Sequence, residues 1–408
     1  MNKPSRRGNA GAAPILFVLA MLCFHPALLA ADQLVSPTWG FSLDLPEGYG
    51  LVEGDGRSRF SFASDAGGRV DLIVYPADRF ASMDEVVRKT EAGLKARMES
   101  SAFSYRGKEA VLMSLAFEMG GEPLEGWGLC VQLAPPSDAA NGKRPLLLAL
   151  AYGPAGAEGL DGFHRSALDS IAPTAADKLA PGPLSVFAYP AEGRKTVRIA
   201  GLGAEATIDA SDAEAAKALV DREFAVLTRY AESPLWKEAW SRFYRFIYRD
   251  SYERLADIAL GAERAFDHAE GAREAAADKA GAVKAADGAE RLLAARVLAW
   301  VQGFAYERNL MGSDFVDLVT AATEGSGDCD SRALLFAVVL MHAGVEAAIM
   351  VSRDYAHAMG LVAAEGSGAR FELGDRKWLV AETTAKVPLG LIGNKTADSA
   401  KWLGILLQ

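Results

Sequence analysis

The sequence predicts an α+β protein in three parts: an N-terminal α/β sandwich, a helical middle segment and a C-terminal α+β core. Three patterns carry that prediction. Alternating apolar segments punctuated by turn residues fill the first third, and helical spacing takes over from Ser211 to about Tyr306. After Gly327 an almost wholly apolar helix is followed by three extended apolar segments. At 408 residues, 50% hydrophobic and 24% charged, the chain is globular in composition and too long for one ordinary core.

Residues 1–31 are expected to be a secretory signal. Lys3, Arg6 and Arg7 form a basic start, Pro14 to Phe24 an apolar stretch, and Pro26 to Ala31 a small-residue cleavage zone. His25-Pro26 interrupts the stretch before it reaches spanning length, and an uncleaved N-terminal anchor is the alternative. Bulky Met21-Leu22 before Cys23 argue against a lipoprotein cysteine. No later segment approaches membrane-spanning length, so a periplasmic or extracellular location without a further span is expected.

Losing Lys3, Arg6 and Arg7 takes the formal charge from −10 to −13, which disfavours nucleic acid as a partner. Only Cys130 and Cys329 then remain. They fall in different expected domains, and both are expected to be unpaired, Cys130 as an inert buried thiol.

Residues 33–175 form the first unit. Strands are expected at Phe41–Leu45, Arg59–Ala63 and Arg69–Tyr75. Ser82-Met83-Asp84-Glu85 is a capping box for an amphipathic helix to about Met98. Strands over 107–119, 126–134 and 145–152 and a helix over Leu160–Ile171 follow. This strand-rich pattern with two helices resembles a PsbP-like α/β sandwich, a fold that in secreted proteins often serves binding. Residues 176–184, with Pro181-Gly182-Pro183, are the expected linker.

In the middle part, 185–290, Lys195–Ile199 and Ala204–Ile208 predict a hairpin about Gly201–Gly203. Helices follow from Ser211. One of them alternates Trp236, Trp240, Phe243, Tyr244, Phe246 and Tyr248 with Arg242, Arg245, Arg249 and Arg254. Such a helix can bind nucleic acid, but Asp250, Glu253 and Asp257 follow at once, which favours core packing with arginine–carboxylate pairing. The Ala-rich, Gly-broken stretch 269–290 is expected to be a weakly packed helix or connection.

The last part, 291–408, holds the chemistry. Gly327-Asp328-Cys329-Asp330-Ser331 opens the apolar helix, which Gly344 ends. Cys329 at a first turn meets free N–H groups and the helix dipole, so a lowered thiol pKa is expected. Strands over Glu346–Ser352, His357–Val362 and Lys377–Thr384 then deliver His357 and Glu382. Nucleophile, base and orienting carboxylate make a triad by role. Asp354 is the reserve carboxylate, while Asp375 sits in a turn. The backbone N–H of Cys329 is one expected oxyanion donor, and Gln302 is the candidate for the other. The loop lacks the alternating ligands of a calcium site, and neither a second cysteine nor paired histidines complete a zinc set. No metal or cofactor is expected, and Asp328 and Asp330 are assigned to helix capping.

Residues 292–384 resemble the transglutaminase-like superfamily of papain-like cores. The matching residues are Gly327, Cys329 and Ala333; Gly344-Val345; His357-Ala358; and Trp378 with Glu382-Thr383-Thr384. Trp300 to Tyr306 resembles the helix preceding the cysteine in prokaryotic members. The chain departs at Glu382, where the family usually has Asp. The resemblance implies an exported cysteine-dependent acyl-transfer enzyme, a peptidase or amidase with a Cys-His-Glu triad. Its partner would be a peptide or protein substrate, cell-wall peptide included. The alternative expectation is an inactive scaffold or binding protein of the cell envelope, and the oligomeric state is not legible.

Overall fold

The computed structural model describes residues 33–135, 144–277, 288–307 and 313–408, with side chains left out over 269–277. The expected signal segment 1–31, Cys23 and much of the Ala-rich connection lie outside the described residues. Helices and strands are both abundant, as the α+β expectation requires.

A short ribbon of β1 (Leu34–Val35) and β2 (Ser42–Leu43) precedes β3 (Tyr49–Gly54), β4 (Arg59–Ser64) and β5 (Arg69–Tyr75). Then come α1 (Met83–Leu94), β6 (Arg97–Tyr105), β7 (Lys108–Met119), β8 (Glu122–Gln132) and β9 (Leu146–Pro154). These build one antiparallel seven-stranded sheet, ordered β3-β4-β5-β9-β8-β7-β6. Ser82 caps α1 by accepting from the Glu85 N–H, as its capping box predicts. The helix stops at Leu94, not Met98, because Lys95 turns left-handed at φ 52°, and the polar run Arg97–Tyr105 joins the sheet as an edge strand. The short strand Tyr49–Gly54 at the opposite edge was equally hidden, its residues mostly exposed.

Period-two alternation gives the sheet two apolar faces. Val111, Met113, Leu115 and Cys130 face α1, while Ala110, Leu112, Leu129 and Val131 face the helices α2 (Leu160–Asp169) and α3 (Pro183–Ala188). The expected linker 176–184 is not a free connection. Leu184 packs into the sheet core, and the fully buried Asp169 accepts from the Leu184 and Ser185 N–H groups. Asp177, 1% exposed, takes Arg106 and Lys108. Buried carboxylates need partners, and these draw the segment onto the sandwich.

β10 (Arg194–Ile199) and β11 (Ala204–Asp209) form the expected hairpin, with Thr196 opposite Thr207. The helices α4 (Asp212–Thr228), α5 (Trp236–Arg254), α6 (Ala256–Ala277), α7 (Ala289–Val301) and the single turn α8 (Leu318–Thr320) lead to α9 (Cys329–His342). The arginines of α5 are consumed by the fold. Arg242 is 2% exposed and donates to Glu223, Ser166 and the Asp44 carbonyl; Arg249 donates to the carbonyls of Asp169, Ile171 and Asp177. These bonds fasten the helical middle to the sandwich, and removing one partner would strand a buried charge.

The chain ends in β12 (Ala347–Ser352), β13 (His357–Val362), β14 (Arg370–Leu373), β15 (Arg376–Ala381) and β16 (Leu403–Ile405), an antiparallel sheet ordered β14-β15-β13-β12-β16. The helix α9 is buried all round, so it needs cover on every side. The sheet supplies one side and helices of the middle part the other. One hydrophobic cluster runs from Ile199 through Phe246, Leu298 and Leu335 to Leu407, so the expected boundary at residue 290 does not separate two cores. At Gly360 a Cβ would meet the Phe336 ring at 2.5 Å; the missing side chain lets α9 lie on β13. Among the described residues no helix is long and apolar enough to cross a membrane.

A candidate thiol site

Asp328 caps α9 with extended backbone, its Oδ1 accepting from the Ser331 N–H at 2.8 Å and from the Ser331 hydroxyl. Cys329 is therefore the first helical residue, as its motif predicts. The buried Arg332 reaches back to the carbonyls of Gly327 and Phe304 and straps the preceding loop to the end of α7. Gly344, with φ 77°, ends the helix region, and the Val345 N–H returns to the Leu340 carbonyl.

His357 begins β13, paired with Ser352 across the sheet. The turn that aims it includes Ala356 at φ 46°, a left-handed backbone that costs a residue with a side chain. Glu382 directly follows β15, whose Ala381 pairs with Gly360, so its side chain reaches the start of β13. His357 Nε2 and Glu382 Oε2 lie 2.8 Å apart. The Thr384 N–H and hydroxyl donate to Glu382 Oε1 at 2.8 and 2.6 Å. Burial pushes the Glu382 carboxyl up, but the hydrogen bonds from His357 and Thr384 outweigh it and hold the group down at about 2. The extra methylene of glutamate is accommodated, and neither Asp354 nor Asp375 takes this place. Trp402 stands edge-on to the imidazole, ring centroids 6.2 Å apart.

Cys329 and His357 line one cavity of about 310 Å³, together with Trp240, Asp328, Asp330 and Arg353. No hydrogen bond joins the two among the described residues. The thiol instead donates to Asp330 Oδ2 at 3.4 Å, and the Ala358 N–H approaches the sulfur. Asp330 in turn accepts from the buried Tyr244 hydroxyl. The expectation of a lowered thiol pKa is overturned here. Burial pushes the Cys329 thiol far up, and the Asp330 and Asp328 carboxylates add to it; the helix dipole and one N–H do not compensate. Asp328 is itself pushed up by burial and by Asp330 beside it. A short thiol-flanking acid pair was visible in the sequence, but its aim at the sulfur was not.

Gln302 does not serve the cavity. Both N–H bonds of its amide are spent, on the carbonyls of Glu382 at 2.8 Å and Val387 at 2.9 Å, so no donor is left for an oxyanion. Its role is to clamp the backbone that carries Glu382. In the first turn of α9 the Ser331 and Arg332 N–H groups are taken by Asp328.

Asp328, Cys329 and Asp330 each offer one ligand atom within 4.8 Å of the others. Ser331 and Tyr244 already donate to those carboxylates, so the cluster is consumed by protein donors. Cys130 lies in mid-strand and bears on none of this; it and Cys329 are both unpaired.

No known family profile and no curated protein matches this chain. Among solved structures, LpqN, involved in cell envelope biogenesis of Mycobacterium tuberculosis, aligns with TM-score 0.21 and 14% identity, covering 30% of this chain and 78% of that one. A crystal structure from Bacteroides thetaiotaomicron VPI-5482 aligns with TM-score 0.24 and 10% identity, covering 54% and 77%. Scores that low carry no conclusion about fold or role, and neither names a transglutaminase-like protein.

Proposed function

We propose that this chain is an exported, transglutaminase-like cysteine enzyme that hydrolyses peptide or amide bonds, with Cys329 as nucleophile, His357 as base and Glu382 as orienting carboxylate. The observation that carries the reading is the His357–Glu382 pair at 2.8 Å, anchored by Thr384 and opening into the cavity that holds Cys329. Bonding of Nε2 to Glu382 leaves Nδ1 as the nitrogen free to take a proton. In the reaction the thiol proton passes to Nδ1, and sulfur attacks the substrate carbonyl. The imidazolium returns that proton to the departing amine, leaving a thioester. Water, deprotonated by His357, then releases the acid and the free thiol. Before the first step the thiol must leave Asp330, which holds it protonated in the resting arrangement.

That same contact favours the second reading, a non-catalytic scaffold of the envelope. The two separate in one experiment: iodoacetamide alkylation followed by intact mass, against pH, for wild type and His357→Ala. The enzyme reading expects a Cys329 adduct whose rate has an inflection that His357→Ala removes. A Cys329 that alkylates no faster than Cys130, with no dependence on His357, would leave the scaffold.

A further inference from the structure

The register of the N-terminal sheet sets two rows of side chains on the face that α2 covers. Glu99, Ser114, Trp127 and Ala151 are cross-strand neighbours in one row, and Arg97, Ala116, Glu125 and Gly153 in the next. The inner rows of this face, Leu112 with Leu129 and Ala110 with Val131, are covered by the helical layer. The outer two are covered only at their Ala151 and Gly153 ends, and between the rest of them and the first turns of α2 lies a groove of about 480 Å³. That volume falls in the range of small-molecule sites, about 300–1,000 Å³. Its wall is Leu160, Asp161 and His164. A Cβ on Gly153 would sit 2.7 Å from Leu160 Cδ1, so glycine there lets the helix press onto the sheet and closes the groove's inner end.

The donors and acceptors in the groove are unbalanced. His164 is 2% exposed, yet its Nε2 has no hydrogen-bond partner. Burial keeps the ring neutral by pushing its pKa down to about 4, so Nε2 is an unmet donor or acceptor, according to the tautomer, that a hydroxyl could satisfy in either role. Glu125 Oε1 is fixed by the Gly156 N–H at 2.8 Å and Asp161 Oδ1 by the Trp127 indole at 2.6 Å. Glu125 keeps a second oxygen, Asp161 Oδ2 lies 3.8 Å from the Arg165 guanidinium, and Glu99 adds another carboxylate. Arg97 and Ser114 are the facing donors. An unsatisfied buried polar atom is costly unless something supplies its partner.

We propose that this groove binds a neutral saccharide of one or two rings. Anions would face three carboxylates, and a simple cation would use the acceptors but meet Arg97. Hydroxyl groups donate and accept together, so they serve Glu99, Glu125, Asp161 and His164 Nε2 on one side and Arg97 on the other. The guanidinium of Arg165 lies 5.8 Å from the Trp127 ring centroid and covers a face of the indole, so hydrogen bonding rather than ring stacking carries the recognition. The site is independent of Cys329.

The test is calorimetric titration of the full chain with glucose, N-acetylglucosamine and cellobiose, with citrate and lysine methyl ester as charged controls. At least one sugar is expected to bind with Kd of roughly 1 mM, equally in wild type and Cys329→Ala. Arg97→Ala and Glu99→Ala, both exposed positions that the fold does not need, should weaken it about ten-fold each by removing a charged hydrogen bond. His164→Phe should abolish it in protein that keeps its circular dichroism. The proposal is overturned if no sugar binds below about 50 mM, if only a charged control binds, if Arg97→Ala and Glu99→Ala leave the affinity unchanged, or if binding disappears with Cys329.

Discussion

Cys130 and Cys329 are both buried thiols, one in each of the two large sheets' territories. Cys130 sits mid-strand, with Val111 and Leu148 as its cross-strand neighbours, and nothing but burial acts on it, pushing its thiol up to about 12. Cys329 sits at a helix start, among Asp328, Asp330, Tyr244 and the Ala358 N–H, with His357 across the cavity. Its thiol is held protonated by burial too, but there the Asp330 and Asp328 carboxylates add to the effect. Burial is an inert environment, whereas a thiol restrained by polar side chains has a second state within reach. The second sheet ends β15 and begins β13 at the two halves of a hydrogen-bonded pair.

The sharpest way to break the comparison is to remove the reacting groups. Cys329→Ala should abolish turnover and the alkylation adduct. His357→Ala should cost about as much, on the order of 10³-fold or more, because the members of such a unit act together. Activity surviving either change, measured on a peptide or amide substrate, would end the enzyme reading. Cys130→Ser is the mirror case. It should leave activity intact but cost about 1–3 kcal/mol in denaturant unfolding, since a hydroxyl would be buried among Val111 and Leu148 without a partner.

The next effect isolates the restraint on the thiol. Asp330→Asn removes one carboxylate beside the sulfur and should raise the Cys329 alkylation rate at neutral pH about ten-fold, with Cys130 unaffected, because each pKa unit is a factor of ten in thiolate. An unchanged rate would mean that burial alone controls Cys329 as it controls Cys130.

The smallest effect concerns acid. The Glu382 carboxyl sits at about 2 in the folded protein against an ordinary value of 4.5, a depressed pKa. Its stabilisation is therefore fully present above pH 4.5 and is lost as pH falls from there toward 2. Unfolding free energy measured across that window should lose slope in Glu382→Gln, while turnover falls less than in His357→Ala. A slope identical in both proteins would show that Glu382 is not held by His357 and Thr384.

Much of the site could be read because its signals are local. A capping aspartate before Cys329, an apolar run after it and a glycine at its end define a helix whatever surrounds it. His357 and Glu382 were readable as strand-end residues, and antiparallel register then brought them together. Gln302 was misread because its neighbourhood depends on Val387, 85 residues away. The linker at 176–184 failed for the same reason: proline and glycine marked a break, but Asp169 and Asp177 bind the segment to distant partners. The edge strands β3 and β6 lack an apolar stripe because edges are half solvated, so their pairing left no mark in composition.

By itself the sequence determined the elements with strong periodicity, the helix start that presents Cys329, and the fate of the α5 arginines, since charges on an aromatic helix must find partners to be buried. Tertiary structure alone decided that the middle helices and the C-terminal sheet share one core, that Asp330 rather than His357 holds the thiol, and that His164 is buried with a nitrogen unmet. The reason is range. Caps and periodicity act within one or two turns of chain. Desolvation and the pairing of buried polar groups depend on what is within a few ångströms in space, which only the folded chain sets.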